Sequence, residues 1–477
     1  MVFTSFNFLL AFPLFVACFY FTPAKYRWLT LLVASFLFYI NIKPVYALLT
    51  AGITASTYLL TIWMSKTKTD ERKRVLMFVN IVLVLLPLFF FKYFGAVNQA
   101  VFVVLEKFNV RWPLPEIRFL LPIGISYYTF MAIGYTIDVY NEEVETEKNI
   151  GYLALFISFF PLVLSGPIER AKNMLPQFHA QKKINYQDLS AGMKMMLWGY
   201  FLKLVVADRT GMYVDAVLNN IPQHNGTSML FASILYPFQV YADLGGYSLL
   251  AIGTAKMLGL NVIPNFNRPF FATSMADFWR RWHISLISWL TDYIYTPLSF
   301  SFRKKGVWGI VIALMITFFI SGIWHGASLT FIVWGLMQGV FLSIEALTNN
   351  QKKDLEKKYN LKHKTWYTIT SIVFTFFLFA GSEVIDRAAT VSDAFAIYKK
   401  IIFDSGSLFI DKTTLAYSFI GLLMLFFSEF RDEYFPEKYL CFNNKNIAIR
   451  YASYLCVTFL IILIGVLNGG QFIYFQF

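Results

Sequence analysis

Charge is scarce in this chain. Only 14% of its 477 residues are Asp, Glu, Lys or Arg, while 57% are hydrophobic and Phe alone occurs 52 times. A water-soluble chain of this length could not bury that much apolar surface. A soluble enzyme is therefore excluded and a polytopic membrane protein indicated. Cysteine is nearly absent: Cys18, Cys441 and Cys456, an odd number with no CxxC pair. That excludes a disulfide framework or a thiolate zinc site, and the three read as small packing residues. There is no GxSxG turn, Walker loop, HExxH helix or DxD pair. Serine-triad hydrolysis, ATP hydrolysis and zinc proteolysis thus lack their machinery, and no metal site is expected. No basic segment precedes the first apolar stretch, MVFTSFNFLLAFPLFVACFYF; Lys25 and Arg27 follow it. That charge order predicts a retained first span with its N-terminus outside, not a cleaved signal.

The net charge is +13, but the positives sit in short segments between apolar runs and form no continuous basic face. They read as topology signals, and nucleic acid is not an expected partner. Runs long enough to span, at roughly 20 residues each, fall at 3–21, 27–42, 45–64, 75–94, 119–140, 150–168, 192–207, 228–258, 307–323, 327–347, 366–383, 412–428 and 450–467. Some are short or broken, so the expectation is an all-α protein of about 11–13 transmembrane helices. The loop KTKTDERKR (66–74) carries five positives and QKKDLEKKYNLKHK (351–364) six lysines. Both are expected to be cytoplasmic, with anionic lipid or an acidic carrier as the secondary reading of their charge.

The middle of the chain differs from its ends. Pro, Gly, Asn, Arg and His interrupt it in LLPIGISYYTF, FFPLVLSGPIER, YADLGGYS, NFNRPFF, DFWRRWHISL and SGIWHG. Irregular polar backbone at membrane depth is tolerated only inside protein or against a water-filled cavity. The expected architecture is a single membrane domain, 1–477, with a ring of conventional helices around a thinner central region of short, tilted or re-entrant pieces. Its parts are N-terminal helices (1–116), a catalytic core (117–345) and C-terminal helices (346–477). No internal repeat is visible, which counts against an inverted-repeat transporter.

Of five histidines, His179, His224 and His363 read as loop residues. His283, closing DFWRRWH, and His325, in SGIWHG, lie within apolar surroundings, where an ionisable group is a functional candidate. The plainer alternative for each is a structural imidazole held by a backbone carbonyl. Gly322 and Gly326 are four apart, as are Gly335 and Gly339. Such pairs let another backbone approach closely, and here they would also leave room beside His325 for a slim substrate chain. The stretch 272–290 reads as one helix at the interface, started by Ser274 and Asp277, with Phe278 and Trp282 on one side. Arg280 and Arg281 need water, phosphate or a carboxylate; they are either snorkelling cations or contacts to a donor's phosphates. A buried histidine pair without a protein nucleophile suits general-base catalysis of direct group transfer. Desolvation would keep the imidazole neutral, the form a base requires.

The motifs LLPIGISYYTFMAIGYTIDVY (120–140), FFPLVLSGPIER (159–170), NFNRPFFATSMADFWRRWHISLISWLTDYIYTPL (265–298), SGIWHGASLTFIVWG (321–335) and the terminal FIYFQF (472–477) resemble, in order, those of the membrane-bound O-acyltransferase family. The likeness is to its bacterial branch, which acetylates exported polysaccharides such as alginate. The resemblance implies that His325 and His283 are the two signature histidines, His325 the general base and His283 assisting or positioning it. It implies an acyl group, acetyl the first choice, passing from a cytoplasmic thioester such as acetyl-CoA, a substrate and not a bound cofactor, toward an extracytoplasmic hydroxyl. Funnels from both faces would meet at the histidine. Implied partners are membrane lipid, the polysaccharide acceptor and a periplasmic or cell-surface acetyltransferase or esterase-like protein; the implied location is the bacterial inner membrane. Secondary candidates for lining or orientation are Trp324, Trp282, Arg280, Arg281, Asp243, Tyr247 and Asn267. One departure stands out: Leu249, in LGGYSLLAIG (244–253), occupies a position where relatives often carry an acid. D-alanyl transfer to teichoic acid and acetylation of peptidoglycan or cellulose stay open within the class. Outside it, a precursor transporter or a non-catalytic scaffold are the alternatives, and neither would need one particular imidazole.

Overall fold

A computed structural model of the chain describes residues 3–110, 122, 124–163 and 166–467. The FIYFQF motif and residues 120, 121, 123, 164 and 165 of two other motifs lie outside the described residues. Those described are helical, with no strand among them. The chain divides into two compact units: residues 1–193 with 251–263, and residues 194–250 with 264–477.

The first unit holds α1 (Phe6–Phe21), α2 (Arg27–Ile42), α3 (Pro44–Lys66), α4 (Asp70–Lys92), α5 (Phe94–Lys107), α6 (Ile125–Tyr140), α7 (Ile150–Ser158), the single turn α8 (Phe160–Val163) and α9 (Ala171–His179). Its centre is a polar seam. Thr50, Thr54, Thr57 and Thr61 of α3 are all buried. Asn80 of α4 donates to Thr136 Oγ1 of α6 at 2.6 Å and to Thr57 Oγ1 at 3.4 Å. Between helices that share the same apolar solvent, such hydroxyl and amide contacts specify packing where hydrophobicity cannot. The 66–74 segment is not all loop: Asp70 and Glu71 open α4, favoured by the helix dipole. Lys73 pairs with Glu142 at 2.9 Å.

Next come α10 (Tyr186–Phe201), α11 (Asp208–Leu218) and α12 (Gly226–Met257); α10 and α12 contribute residues to both units. The second unit continues with α13 (Met275–Arg281), α14 (Ile284–Leu290), α15 (Thr296–Ser301), α16 (Val307–His325), α17 (Leu329–Lys358), α18 (Thr365–Arg387), α19 (Val391–Phe403), α20 (Lys412–Tyr434) and α21 (Ile447–Ile464). Leu202–Ala207 and Thr291–Tyr295 are π-helical turns. Part of the basic segment 351–364 is also helix. The 30-residue α17 runs on through Lys358, about 45 Å at 1.5 Å per residue, so its lysine-rich end projects beyond an apolar layer of about 30 Å. Lysine is a good helix former and its charge suits a helix C-terminus, so nothing stops the helix where hydrophobicity ends.

Eight helical stretches among the described residues are long and apolar enough to cross a bilayer, with α4–α5 and α10–α11 each counting as one; α1 and Ile150–Val163 are shorter apolar helices. The chain is an all-α polytopic membrane protein.

Candidate active site

The stretch 272–290 is two helices, not one. Ser274 caps α13 by accepting from the Asp277 N–H at 3.1 Å, as its sequence suggests. The helix then stops at Trp282, and α14 starts anew after His283. The break has a local cause. His283 sits at φ 45°, ψ 48°, a left-handed conformation that side-chain-bearing residues adopt rarely and at a cost. Asn265 holds the turn from outside. Its carbonyl accepts from the Ile284 N–H at 2.8 Å, its Oδ1 from the Ser285 N–H and hydroxyl, and its Nδ2 donates to Ser248 Oγ. The turn aims a His283 ring that is 1% exposed. Neither ring nitrogen reaches a hydrogen-bond partner among the described residues. Burial pushes this imidazole down to about 4.

His325 ends α16, and the Ser328-capped α17 turns straight back. The glycines make this hairpin tight. A Cβ at Gly335 would stand 2.4 Å from the Phe318 carbonyl oxygen, and one at Gly322 2.5 Å from that of Phe331. The packing expectation for these glycines holds. The glycines themselves open no room beside His325: a Cβ at Gly326 would lie 2.5 Å from the Phe331 ring. Backbone and aromatic side chain fill what the small residues leave open. The half-buried His325 ring is bounded by Trp324 (centroids 4.9 Å apart), Trp334 (4.9 Å) and Phe331 (6.1 Å). Trp324 also meets His283 edge-on at 6.1 Å, so this indole touches both imidazoles.

His283 and His325 line one cavity of about 20 Å³, together with Tyr236, Val240, Trp279, Trp282, Leu286, Trp334, Glu383 and Asp386. That is room for about one water. Helices α12, α13, α14, α16, α17 and α18 thus converge on a single point. Glu383 and Asp386 were not among the expected site residues; they lie beyond 345. The signal was present as two acids in FLFAGSEVIDR, the end of a spanning helix, where ionisable groups are functional candidates. Glu383 accepts from Trp334 Nε1 at 2.9 Å, and Asp386 from the Tyr236 hydroxyl at 3.2 Å.

The other expected residues divide. Trp282 lines the cavity and Trp324 packs against it. Asn267, Arg280 and Arg281 instead line an open polar cleft of about 450 Å³ with Arg268, Asp277, Asp432, Glu433 and Pro436. There Arg281 has its carboxylates, Glu433 at 3.0 and 3.1 Å and Asp277 at 3.2 Å, while Arg280 is largely exposed. Asp243 and Tyr247 belong to a third place. The Lys203 ammonium, 3% exposed in the first π turn, lies 2.6 Å from Asp243, 2.8 Å from Asp208 and 5.5 Å from the centre of the Tyr247 ring. In the first unit, Glu169 of the SGPIER motif accepts from the Arg170 and Ile263 backbones and from Asn173, a structural use.

Two imidazoles at one convergence of helices invite comparison with known proteins. The family model for "MBOAT, membrane-bound O-acyltransferase family" matches residues 140–385, a span that contains every residue lining the cavity except Asp386. This chain belongs to the membrane-bound O-acyltransferase family. Among similar members, a protein named probable alginate O-acetylase from Azotobacter vinelandii is 34% identical over 401 residues, covering 83% of this chain and 77% of its own length. One of the same name from Pseudomonas aeruginosa is 34% identical over 403 residues, covering 84% and 74%. A peptidoglycan O-acetyltransferase from Helicobacter pylori is 29% identical over 402 residues, covering 78% and 73%. As a membrane-bound O-acyltransferase the protein is an enzyme, with an acyl donor and a hydroxyl acceptor as its substrates.

Proposed function

We propose that this O-acyltransferase moves an acetyl group from a cytoplasmic thioester, such as acetyl-CoA, toward hydroxyls of an exported polysaccharide, alginate being the first candidate. The observation that carries the reading is the convergence of His283 and His325 on one cavity. In the proposed step, the acceptor hydroxyl loses its proton to His325 as its oxygen attacks the thioester carbonyl. The new C–O bond forms, the C–S bond breaks, and the imidazolium returns the proton to the departing thiolate. His283, held neutral by burial, positions the reacting groups. Similarity to two alginate O-acetylases supports the polymer, and an extracytoplasmic partner would complete delivery to it. The protein would lie in the inner membrane with its N-terminus outside and its two lysine- and arginine-rich segments inside, as the distribution of positive charge requires. The chain acts as one domain, with its chemistry in the 117–345 core.

The test is His325→Ala in a cell that makes the acetylated polymer. The expected outcome is stable insertion with polymer acetyl content reduced to background. Unchanged acetylation would overturn the reading.

A further inference from the structure

The proposed step uses two imidazoles and leaves two acids in the same cavity unexplained. Glu383 and Asp386 are three residues apart on α18 and so share a face. Glu383 is 3% exposed, in a helix long and apolar enough to span. A carboxylate there is costly, and an apolar residue would insert more readily. What the carboxylate touches accounts for its presence. It accepts from the indole N–H of Trp334, 4% exposed, at 2.9 Å. The ring of Trp334 stands nearly perpendicular to His325, at 73° with centroids 4.9 Å apart. One turn along, Asp386 accepts from Tyr236, another wall residue. The two acids therefore anchor side chains contributed by α17 and α12, one of which stands nearly at right angles to the proposed base.

We propose that Glu383 is a positioning residue: it fixes the Trp334 ring by its N–H, and that ring holds the His325 imidazole at the angle from which it takes the acceptor's proton. The role rests on His325 being the base. It requires an acceptor at Glu383, not its charge, so Gln should serve and Leu should not. Misplacing a reacting group by about an ångström is enough to slow transfer by about a hundredfold.

The experiment measures initial rates of label transfer from radiolabelled acetyl-CoA in inverted membrane vesicles carrying the full chain, normalised to folded protein. Glu383→Leu should lower the saturated rate about 10- to 100-fold, with KM for acetyl-CoA held within about twofold. Glu383→Gln should stay within about threefold of the parent. Trp334→Phe, which keeps a ring but removes the N–H, should match Glu383→Leu. The double variant Trp334→Phe/Glu383→Leu should be no slower than the slower single, because both remove one interaction. A full rate in Glu383→Leu, equal losses in the Gln and Leu variants, or multiplicative losses in the double would overturn the proposal. His325→Ala is the control: if it abolishes transfer while the Glu383 series does not change it, this inference falls and the functional reading stands; if His325→Ala is itself without effect, the functional reading falls.

Discussion

Asn265 grips Ser285 twice. Its Oδ1 accepts from the Ser285 backbone N–H at 3.2 Å and from the Ser285 hydroxyl at 2.9 Å, with Asn265 and Ser285 both buried. With the Ile284 bond to the Asn265 carbonyl, this clamp closes immediately after His283. Asn265→Ala would take the side-chain acceptor from the buried Ser285 N–H and hydroxyl and should cost about 1–3 kcal/mol, and acyl transfer should fall as the turn loosens. Asn265→Asp, which keeps the acceptor, should lose less of both. Thermal unfolding of the purified protein, paired with transfer rates, would check the ranking.

Acid should destabilise the fold through His283. Its folded-state value of about 4 lies below the ordinary 6.5 of a free imidazole. Between these values the unfolded chain binds a proton that the folded chain refuses. Stability contributed by burying the neutral ring is therefore fully present above about 6.5 and falls as pH drops toward 4, by up to about 1.4 kcal/mol per unit. Subtracting the stability–pH curve of His283→Gln from that of the parent should isolate this slope. Identical curves would show that another group carries the acid sensitivity.

The α16–α17 hairpin predicts a contrast between two glycines. Gly335→Ala places a Cβ 2.4 Å from a backbone carbonyl oxygen, whereas a Cβ at Gly381 of α18 meets nothing within 4 Å. Backbone cannot step aside as a flexible side chain can, so Gly335→Ala should lose about 1–3 kcal/mol. Gly381→Ala should be neutral or gain up to about 1 kcal/mol from helix propensity. The yield of folded protein and its melting temperature, compared side by side, decide this.

Lys203 is a structural keystone of the second unit. Removing its charge in Lys203→Met would leave the buried Asp243 and the largely buried Asp208 beside each other without their cation. Breaking a buried ion pair from one side costs about 3–5 kcal/mol, while replacing all its members by neutral groups is often tolerated. Lys203→Met should therefore fail to accumulate as folded protein, and Lys203→Met/Asp208→Asn/Asp243→Asn should recover much of the loss. Equal failure of both would refute the charge-balance account.

Much of this protein was legible in its sequence because lipid imposes simple demands. A spanning helix must be apolar and long, so the runs mark their own positions; an imidazole set among apolar residues must have a reason, so His283 and His325 stand out. The cap at Ser274 was equally visible. Other features depended on partners distant in sequence. Nothing local in 272–290 says that a helix will break at His283, because Asn265, some 20 residues earlier, holds the turn. That Asp243 and Tyr247 gather around Lys203 with Asp208, and not at the histidines, likewise depends on residues some 40 positions apart.

By itself the sequence determined that the chain is a helical membrane protein, with two histidines among apolar residues and the motifs of an acyltransferase family, since composition, run length and motif are local quantities. Only the tertiary structure decided that Glu383 and Asp386 join those histidines, that Arg280 and Arg281 do not, and that the glycine clearance beside His325 is already filled. The reason is physical: which face of a helix meets which neighbour is set by packing among six converging helices, and no single segment carries that information.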